Sequence, residues 1–219
     1  MQKLNELRCI HRHSIYTHPS CFAKGLIKQT LHDKPWYEEA ELKIGYFDIE
    51  SDGLKADFST MLTWAIKERE GAVTTDSRTK KELFNGVIDK RLVQDLINEL
   101  NKYNVIITYY GTLFDIPYTR AKALHYGLRF PEYLDLFHWD IYFAVRSLLG
   151  ISRKSLDNAC DYLGIVGKTP IDKQVWRDAK YGDPVALAGV VEHNIGDVII
   201  LEKLHDKLAC YKTWTRRSI

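Results

Sequence analysis

Hydrophobic and polar residues follow two different spacings along the chain, and from residue 42 onward they predict an ordered series of strands and helices. Residues 42–50 (LKIGYFDIE) predict a strand, and residues 61–77 predict a hairpin. Apolar residues then recur at helical spacing over 87–103, and residues 105–110 (VIITYY) form a short run typical of a buried strand. Three strands followed by a helix and a fourth strand indicate an antiparallel start and then a crossover to a parallel pair.

The remainder of the chain is predicted to be mainly helical. A short strand is expected at 132–137 (EYLDLF), and helices are expected at 115–127, 138–150, 155–164, 173–182 and 183–211. Asp183 and Pro184 supply the cap and the first position of the last helix. Asp135 is interpreted either as a fifth acid near a site or as the cap of the helix that begins near His138.

The regular pattern supports one α/β domain over residues 41–219, preceded by an N-terminal extension over residues 1–40. The extension concentrates histidine and cysteine in a short stretch without clean periodicity. Cys9, His13, His18 and Cys21 supply a Cys₂His₂ ligand set suited to one structural Zn²⁺, with His11 as a substitute ligand. The spacing is not that of a C-x₂-C finger, and the alternative is that these histidines are solvated.

Acidic residues lie near the ends of two predicted strands. Asp48 and Glu50 leave the same face of the first strand, and two adjacent carboxylates repel each other unless a cation compensates them. Asp115 follows the 105–110 strand, and His193 and Asp197 lie four residues apart on one face of the last helix. Hard oxygen ligands favour Mg²⁺ or Mn²⁺. For Asp48 and Glu50 alone, a solvated strand end is the alternative, and for Asp197 alone a polar helix residue.

The segments around these residues resemble the three motifs of a known family. YFDIESDGL (46–54), ITYYGTLFDIPY (107–118) and HNIGDV (193–198) are similar, in order and spacing, to the motifs of DEDD-type 3′→5′ exonucleases. The closest resemblance is to stand-alone domains of the predicted ribonuclease-H-like exonuclease group, which is related to family-B polymerase proofreading domains. It covers roughly residues 42–210. It implies a ribonuclease-H-like α/β fold, whose mixed sheet is antiparallel in its first three strands and then parallel, with flanking helices and a helical C-terminal half.

The resemblance also implies roles for individual residues. Asp48, Glu50, Asp115 and Asp197 are expected to hold two Mg²⁺ or Mn²⁺ ions, and His193 is expected to act as general base. Two such ions, about 4 Å apart, activate a water, neutralise the scissile phosphate and stabilise the leaving oxygen. The residue type or the position of this base differs from that in both known branches of the family. Polymerase-type domains use Tyr at this position, and DnaQ-like domains place their His one residue further from the aspartate.

Three residues are candidates for substrate contact. Leu54 resembles the apolar residue that wedges at the terminal nucleotide in this family, and core packing is the alternative. Tyr110 stands where polymerase-type domains usually have His or Asn, and its ring is suited to stacking on a base. Lys168 is interpreted as a phosphate contact, and an exposed surface charge is the alternative.

The composition of the chain excludes some classes of function. The chain has 219 residues, and its 31 basic and 29 acidic side chains leave a net charge of +2, which excludes a strongly basic, charge-driven nucleic-acid binder. No run of 18 apolar residues and no signal-peptide pattern are present in the sequence, so we expect a cytoplasmic protein without a membrane partner. The 13 Tyr, 8 Phe and 5 Trp residues serve packing or base stacking.

Together these observations predict a divalent-metal-dependent 3′→5′ exonuclease that hydrolyses single-stranded DNA by a two-metal mechanism. Single-stranded nucleic acid is the expected partner, with DNA favoured over RNA, alongside proteins of replication or repair. Two alternatives stay open at this point. One is an exoribonuclease of the same fold, and the other is a catalytically silent nucleic-acid-binding accessory module. The four acids argue against the silent module, because mutually repelling carboxylates without a metal would only destabilise the fold.

Overall fold

The computed structural model describes residues 8–9, 19–23, 27–28, 42–86, 88–133, 135–167, 170–211 and 217–218. The strands within these ranges are β1 (Arg8–Cys9), β2 (Ile27–Lys28), β3 (Ile44–Ser51), β4 (Met61–Glu68), β5 (Val73–Ser77), β6 (Val105–Thr108), β7 (Phe137–Asp140) and β8 (Arg217–Ser218). The helices are α1 (Pro19–Ala23), α2 (Lys80–Leu83), α3 (Lys90–Leu100), α4 (Asp115–His125), α5 (Ile141–Leu148), α6 (Leu156–Tyr162), α7 (Lys173–Lys180) and α8 (Pro184–Leu208).

One mixed sheet organises the fold, with the strand order β5-β4-β3-β6-β7-β8. The first three strands of this sheet along the chain, β3 to β5, are antiparallel neighbours. β6 and β7 then add in parallel to β3, and the two-residue β8 closes the edge antiparallel to β7. This arrangement confirms the predicted ribonuclease-H-like α/β fold. β1 and β2 form a separate antiparallel pair.

The two faces of the sheet are covered by different helices. Phe47 and Ile49 of β3 belong to a buried cluster with residues of α3 and α4, whereas Tyr46 belongs to a second cluster with residues of α5, α6 and α8. Successive side chains in a strand point to opposite faces. Asp48 and Glu50 therefore share the face of Tyr46, which is the face that α8 covers.

The long helix α8 lies against β3 and β4. Asp183 caps it by accepting a hydrogen bond from the backbone N–H of Ala186, and Pro184 occupies its first turn, as predicted. By length and composition alone α8 could cross a membrane. Its packing is that of a core helix, since the buried His205 side chain bonds the Tyr46 hydroxyl at 2.8 Å across to β3.

The prediction for the segment after residue 131 is wrong in its boundaries. Residues 137–140 are the strand β7, all four of them buried, and the following helix starts at Ile141 rather than near His138. Asp140, not Asp135, caps this helix by accepting a hydrogen bond from the backbone N–H of Tyr142. Asp135 is exposed, and its carboxylate accepts a hydrogen bond from the backbone N–H of Glu132. The strand was misplaced because the apolar run continues through both elements.

Candidate active site

The candidate site forms at the carboxyl end of β3, where a strand in the middle of the sheet meets α8. β3 is hydrogen-bonded to β4 on one side and to β6 on the other, and its register with β4 shifts between Glu50 and Ser51. A shift of this kind bends a strand and redirects its end. The carboxylates of Asp48 and Glu50 are thus held on a strand that is fixed on both sides.

α8 brings a base and another acid to these carboxylates. His193 Nε2 lies 3.7 Å from Glu50 Oε1 and 3.8 Å from Asp197 Oδ2. The ligand atoms of these three residues all lie within 4.8 Å of one another. Trp176 of α7 lies beside His193. The two rings are nearly perpendicular, and their centroids are 6.0 Å apart. The helical spacing of His193 and Asp197 predicted this pairing.

Asp48 lies beside this group and is joined to α8. Its Oδ2 accepts a 2.6 Å hydrogen bond from the side-chain amide of Asn194. Burial raises the pKa of Asp48 well above its usual value, and the neighbouring charges of Asp115, Glu50 and Asp197 raise it further. A like-charged cluster of this kind is stabilised by binding a cation.

Asp115 approaches from the start of α4 and is buried. Its Oδ1 accepts a 3.0 Å hydrogen bond from the backbone N–H of Ile49, between the two acids of β3. Burial raises the pKa of Asp115 to about 7, although backbone N–H donors oppose that shift. The structure therefore brings together all five residues singled out from the motifs, which are Asp48, Glu50, Asp115, His193 and Asp197.

The donor set fits hard divalent cations. Each of the four acids offers carboxylate oxygens, which Mg²⁺ and Mn²⁺ prefer, while the sulfur donors that soft metals favour are absent from this described cluster. Burial raises the pKa of Asp48 and Asp115, and neighbouring acids raise that of Asp48 further, so a bound cation would stabilise the ionised carboxylates. Divalent metal binding is the chemistry that this arrangement supports.

Asp140 is a part of the site that sequence reasoning missed. Its buried carboxylate accepts hydrogen bonds from the backbone N–H groups of Tyr110 (2.8 Å), Thr112 (2.9 Å) and Tyr142 (3.0 Å). Tyr110 has a φ of 68°, which is unusual for a residue with a side chain. Asp140 thus fixes the strained turn that leads into Asp115. The signal in the sequence is an acid directly before a helix, which is typical of a cap.

The predicted substrate residues lie in different surroundings. Leu54 is 80% exposed in the loop after β3, so it does not pack in the core. Tyr110 is 44% exposed, and its ring meets that of Tyr142 edge-on at 4.8 Å. Lys168 lies outside the described residues.

The predicted zinc ligands are only partly described. Cys9 in β1 and Cys21 in α1 are buried, at 0% and 1% exposure. His13 and His18, together with the substitute His11, lie outside the described residues. The zinc site stays a prediction.

The fold and the site define a class: a ribonuclease-H-like α/β domain with four acids and a histidine at the end of its middle strand. A sequence profile of the RNase_H_2 family, in the RNase_H superfamily, matches residues 45–209, and the chain belongs to this family. This membership supports nuclease activity, and the converging acids agree with it, because bound divalent ions can catalyse phosphodiester hydrolysis.

Among solved structures, the chain is similar to the family B DNA polymerase from the hyperthermophilic archaeon Pyrobaculum calidifontis. The TM-score is 0.64 and the sequence identity is 20%. The similarity covers 78% of this chain but 25% of the polymerase, so the chain corresponds to about a quarter of that protein. Both findings agree with the family resemblance identified from the three motifs. No curated protein sequence matches the chain.

Proposed function

We propose that the protein is a divalent-metal-dependent 3′→5′ exonuclease that removes nucleoside 5′-monophosphates from single-stranded DNA. The observation that carries this proposal is one cluster of acids: Glu50 and Asp197 lie within 4 Å of His193 Nε2, and Asp48 interacts with both of these acids and with Asp115. Family membership and the similarity to a DNA polymerase support it. The favoured partners are single-stranded DNA and proteins of DNA replication or repair.

The acids hold the metal in this proposal. Asp48, Glu50, Asp115 and Asp197 supply the ligands for two Mg²⁺ or Mn²⁺ ions, and Asn194 orients Asp48 through its 2.6 Å hydrogen bond. When bound, divalent ions neutralise the scissile phosphate and lower the pKa of water. The four carboxylates exceed what one divalent ion neutralises, which favours a pair of ions.

His193 moves the proton. The oxygen of a water attacks the phosphorus, the bond to the 3′-oxygen breaks, and the water proton passes to Nε2 of His193. Glu50 and Asp197, at 3.7 and 3.8 Å, stabilise the imidazolium that forms. Trp176 packs edge-on against the ring and limits its rotation. The leaving 3′-oxygen takes a proton from solvent and becomes the new 3′-hydroxyl, and His193 then releases its proton to solvent.

The exposed side chains beside the site contact the substrate. Leu54, at 80% exposure, lies in the loop that follows Glu50 and packs against the terminal nucleotide. Tyr110 stacks on a base, because its turn is held by Asp140 and its ring is supported by Tyr142. Lys168 adds a phosphate contact.

One assay tests direction, polymer and metal together. Single-stranded DNA and RNA, labelled at either the 3′ or the 5′ end, are incubated with Mg²⁺, Mn²⁺ or a chelator. We expect metal-dependent shortening from the 3′ end of DNA by wild type and none by Asp48→Ala. Faster shortening of RNA would identify an exoribonuclease. Binding without shortening of either polymer would identify a silent module and reject the exonuclease.

The base is tested separately from the metal ligands. His193→Ala is expected to lower the rate while leaving metal binding detectable by calorimetry, because the four acids remain. A full rate in His193→Ala would assign the proton transfer to another group. His193→Gln serves as the matched variant, since it keeps a polar side chain that does not accept the proton at neutral pH.

We also propose that Cys9, His13, His18 and Cys21 bind one structural Zn²⁺, with His11 as a substitute. The burial of both cysteine side chains supports this proposal. Metal analysis of purified wild type is expected to find one zinc per chain, and Cys9→Ser/Cys21→Ser is expected to lose it. Cys160→Ser, which changes another buried cysteine, is the matched control. Zinc-free wild type would reject the site.

A further inference from the structure

A basic surface on α7 lies beside the candidate active site and has no part in the chemistry described above. Lys173, Arg177 and Lys180 recur at spacings of four and three residues, which places them on one face of the helix, and all three are exposed. At 1.5 Å per residue they extend along about 10 Å of the helix axis. We call these three residues the α7 stripe.

The adjoining face of α7 packs toward the candidate active site. Ala179 is buried and belongs to a small core cluster against which Val175 and Trp176 pack. Trp176 in turn contacts the ring of His193. The α7 stripe therefore lies on the outer face of the helix whose inner face supports the proposed base.

The C-terminal end of α7 is fixed to the loop between β3 and β4. Arg78 is buried, and its guanidinium donates hydrogen bonds to the carbonyls of Ala179 and Lys180, at 3.2 and 2.9 Å. The same guanidinium bonds the hydroxyl of Thr60 in the loop. Lys180 Nζ also lies 4.0 Å from the carboxylate of Asp52, two residues after Glu50. The stripe thus ends at the edge of the site and is held rigidly there.

Exposed aromatic rings accompany these cations. Tyr181 follows the stripe directly and is 74% exposed. Phe84, also 74% exposed, follows α2, and α2 adjoins the end of α7, since a Cβ built on Gly182 would meet Leu83 and Lys80 at 3.1 and 3.6 Å. Cations interleaved with exposed rings are the combination that binds single-stranded nucleic acid without sequence preference.

Asp52 pairs with Lys180, whereas the acids close to Lys173 and Arg177 are engaged elsewhere. Asp178 accepts a 2.7 Å hydrogen bond from Gln174 on another face of α7. Asp172 caps α7 and Asp183 caps α8, each by accepting a backbone N–H. Glu82 of α2 pairs with Arg91. The positive charge of Lys173 and Arg177 therefore faces solvent.

We propose that the α7 stripe binds the phosphodiester backbone of the single strand whose 3′ end occupies the candidate active site, with Tyr181 and Phe84 stacking on its bases. This proposal rests on the proposed nuclease function. It assigns a strand-binding surface outside the residues that hold metal or move protons. Long substrates benefit from this surface, whereas a substrate of one nucleotide does not reach it.

Binding is measured without hydrolysis, so that the two proposals are tested separately. Fluorescence anisotropy of labelled single-stranded DNA and RNA is recorded in chelator over a series of salt concentrations. Lys173→Gln/Arg177→Gln is expected to weaken binding about tenfold at low salt. It should also reduce the salt slope by roughly 1.4, because each single-strand phosphate contact contributes about 0.7.

The matched control removes one lysine and one arginine elsewhere. Arg146 of α5 and Lys207 near the end of α8 are exposed. Lys207 lies fourteen residues after His193, which is about 21 Å along the helix axis. Arg146→Gln/Lys207→Gln is expected to bind within about twofold of wild type in about 0.1 M salt, where charges more than about 10 Å from the bound strand are largely screened.

A second readout separates strand binding from chemistry. With the p-nitrophenyl ester of thymidine 5′-monophosphate, the stripe variant is expected to keep the kcat/KM of wild type, whereas with long DNA its KM rises about tenfold. Equal binding losses in the stripe and control variants, or no loss in the stripe variant, would overturn the proposal. So would a wild type that binds neither polymer. Binding that depends on the stripe, without hydrolysis, would reject the nuclease alone.

Discussion

Among the described residues, two groups of carboxylates differ in what balances their charge. Asp89 is fully buried, and its carboxylate lies 3.0 Å from Lys122 Nζ and accepts a hydrogen bond from the Tyr126 hydroxyl. Asp48 accepts a hydrogen bond from the side-chain amide of Asn194. The charged groups that act on Asp48 are three other acids, Asp115, Glu50 and Asp197. The negative charge of the first group is balanced by a cation within the fold, and we call it the complete group. The negative charge of the second group is balanced only when a cation binds from solution, and we call it the incomplete group. This difference separates a structural acid from a candidate metal ligand.

The largest expected effect comes from removing charge at the incomplete group. Glu50→Gln keeps the size of the side chain and is expected to lower nuclease activity by roughly 10³-fold, because charge stabilisation at the reacting phosphate is lost. The matched change is Glu99→Gln. Glu99 is buried, and it pairs with Lys102 at 2.6 Å. Its variant is expected to keep its activity, and equal losses in both variants would erase the distinction between the groups.

The next effect is on stability and concerns the complete group. Lys122→Met leaves Asp89 buried without its cation, which is expected to lower the free energy of unfolding by about 3–5 kcal/mol in chemical denaturation. Asp89→Leu/Lys122→Met removes both charges and is expected to recover most of that loss. Lys43→Met breaks an exposed pair with Glu68 and is expected to cost about 1 kcal/mol or less. A small loss in Lys122→Met would show that Asp89 is not balanced by Lys122.

A smaller effect is expected where a buried acid acts through the backbone. Asp140→Ala removes the acceptor for the N–H groups of Tyr110, Thr112 and Tyr142. We expect activity to fall about 10–100-fold, and a higher Mg²⁺ concentration to be needed, because the turn that carries Asp115 loosens.

Asp172→Ala is the matched control for Asp140→Ala. Both aspartates cap an eight-residue helix by accepting the N–H two residues on. The loss of either cap costs about 1 kcal/mol of stability. On a mononucleotide ester, Asp172→Ala is expected to stay within about twofold of wild type per folded molecule, and Asp140→Asn to recover part of the lost activity. An unchanged Mg²⁺ requirement in Asp140→Ala would limit Asp140 to capping α5.

The sequence predicts the incomplete group better than it predicts Asp140, and the reason is periodicity. The two-residue repeat of β3 and the helical repeat of α8 fix which faces Asp48, Glu50, His193 and Asp197 occupy, so the convergence follows once strand and helix are recognised. No repeat marks Asp140. The apolar residues around it continue from β7 into α5, and its partners in the turn lie about thirty residues earlier in the chain.

The exposure of individual side chains and the tertiary contacts of helices are likewise not predictable from this sequence alone. The two interpretations of Leu54, core packing and substrate contact, differ in burial, and burial is set by the loop after β3 and not by the residue type. The place of the α7 stripe beside the site depends on Arg78 and Trp176, which join α7 to residues far away in the chain.

The smallest expected effect is the pH dependence of the metal-free protein. The pKa of Asp115 is raised to about 7 by burial, so between about pH 4 and about pH 7 the folded state binds a proton that the unfolded state has released. Stability from this group is therefore present at low pH and is lost as pH rises toward 7. His205 has the opposite sign. Burial lowers its pKa to about 3, so stability from His205 is lost as pH falls below about 6.5.

Asp115→Asn isolates the acid, because the amide oxygen still accepts the N–H of Ile49 while the carboxylate charge is gone. In chelator, the unfolding free energy of Asp115→Asn relative to wild type is expected to rise as pH increases from about 5 to about 7, by at most about 1.4 kcal/mol per pH unit. Mg²⁺ at pH above 7 should stabilise wild type more than Asp115→Asn, since the ion replaces the proton as the balancing charge. A pH-independent difference between the two proteins would mean that the carboxylate of Asp115 is already balanced within the fold.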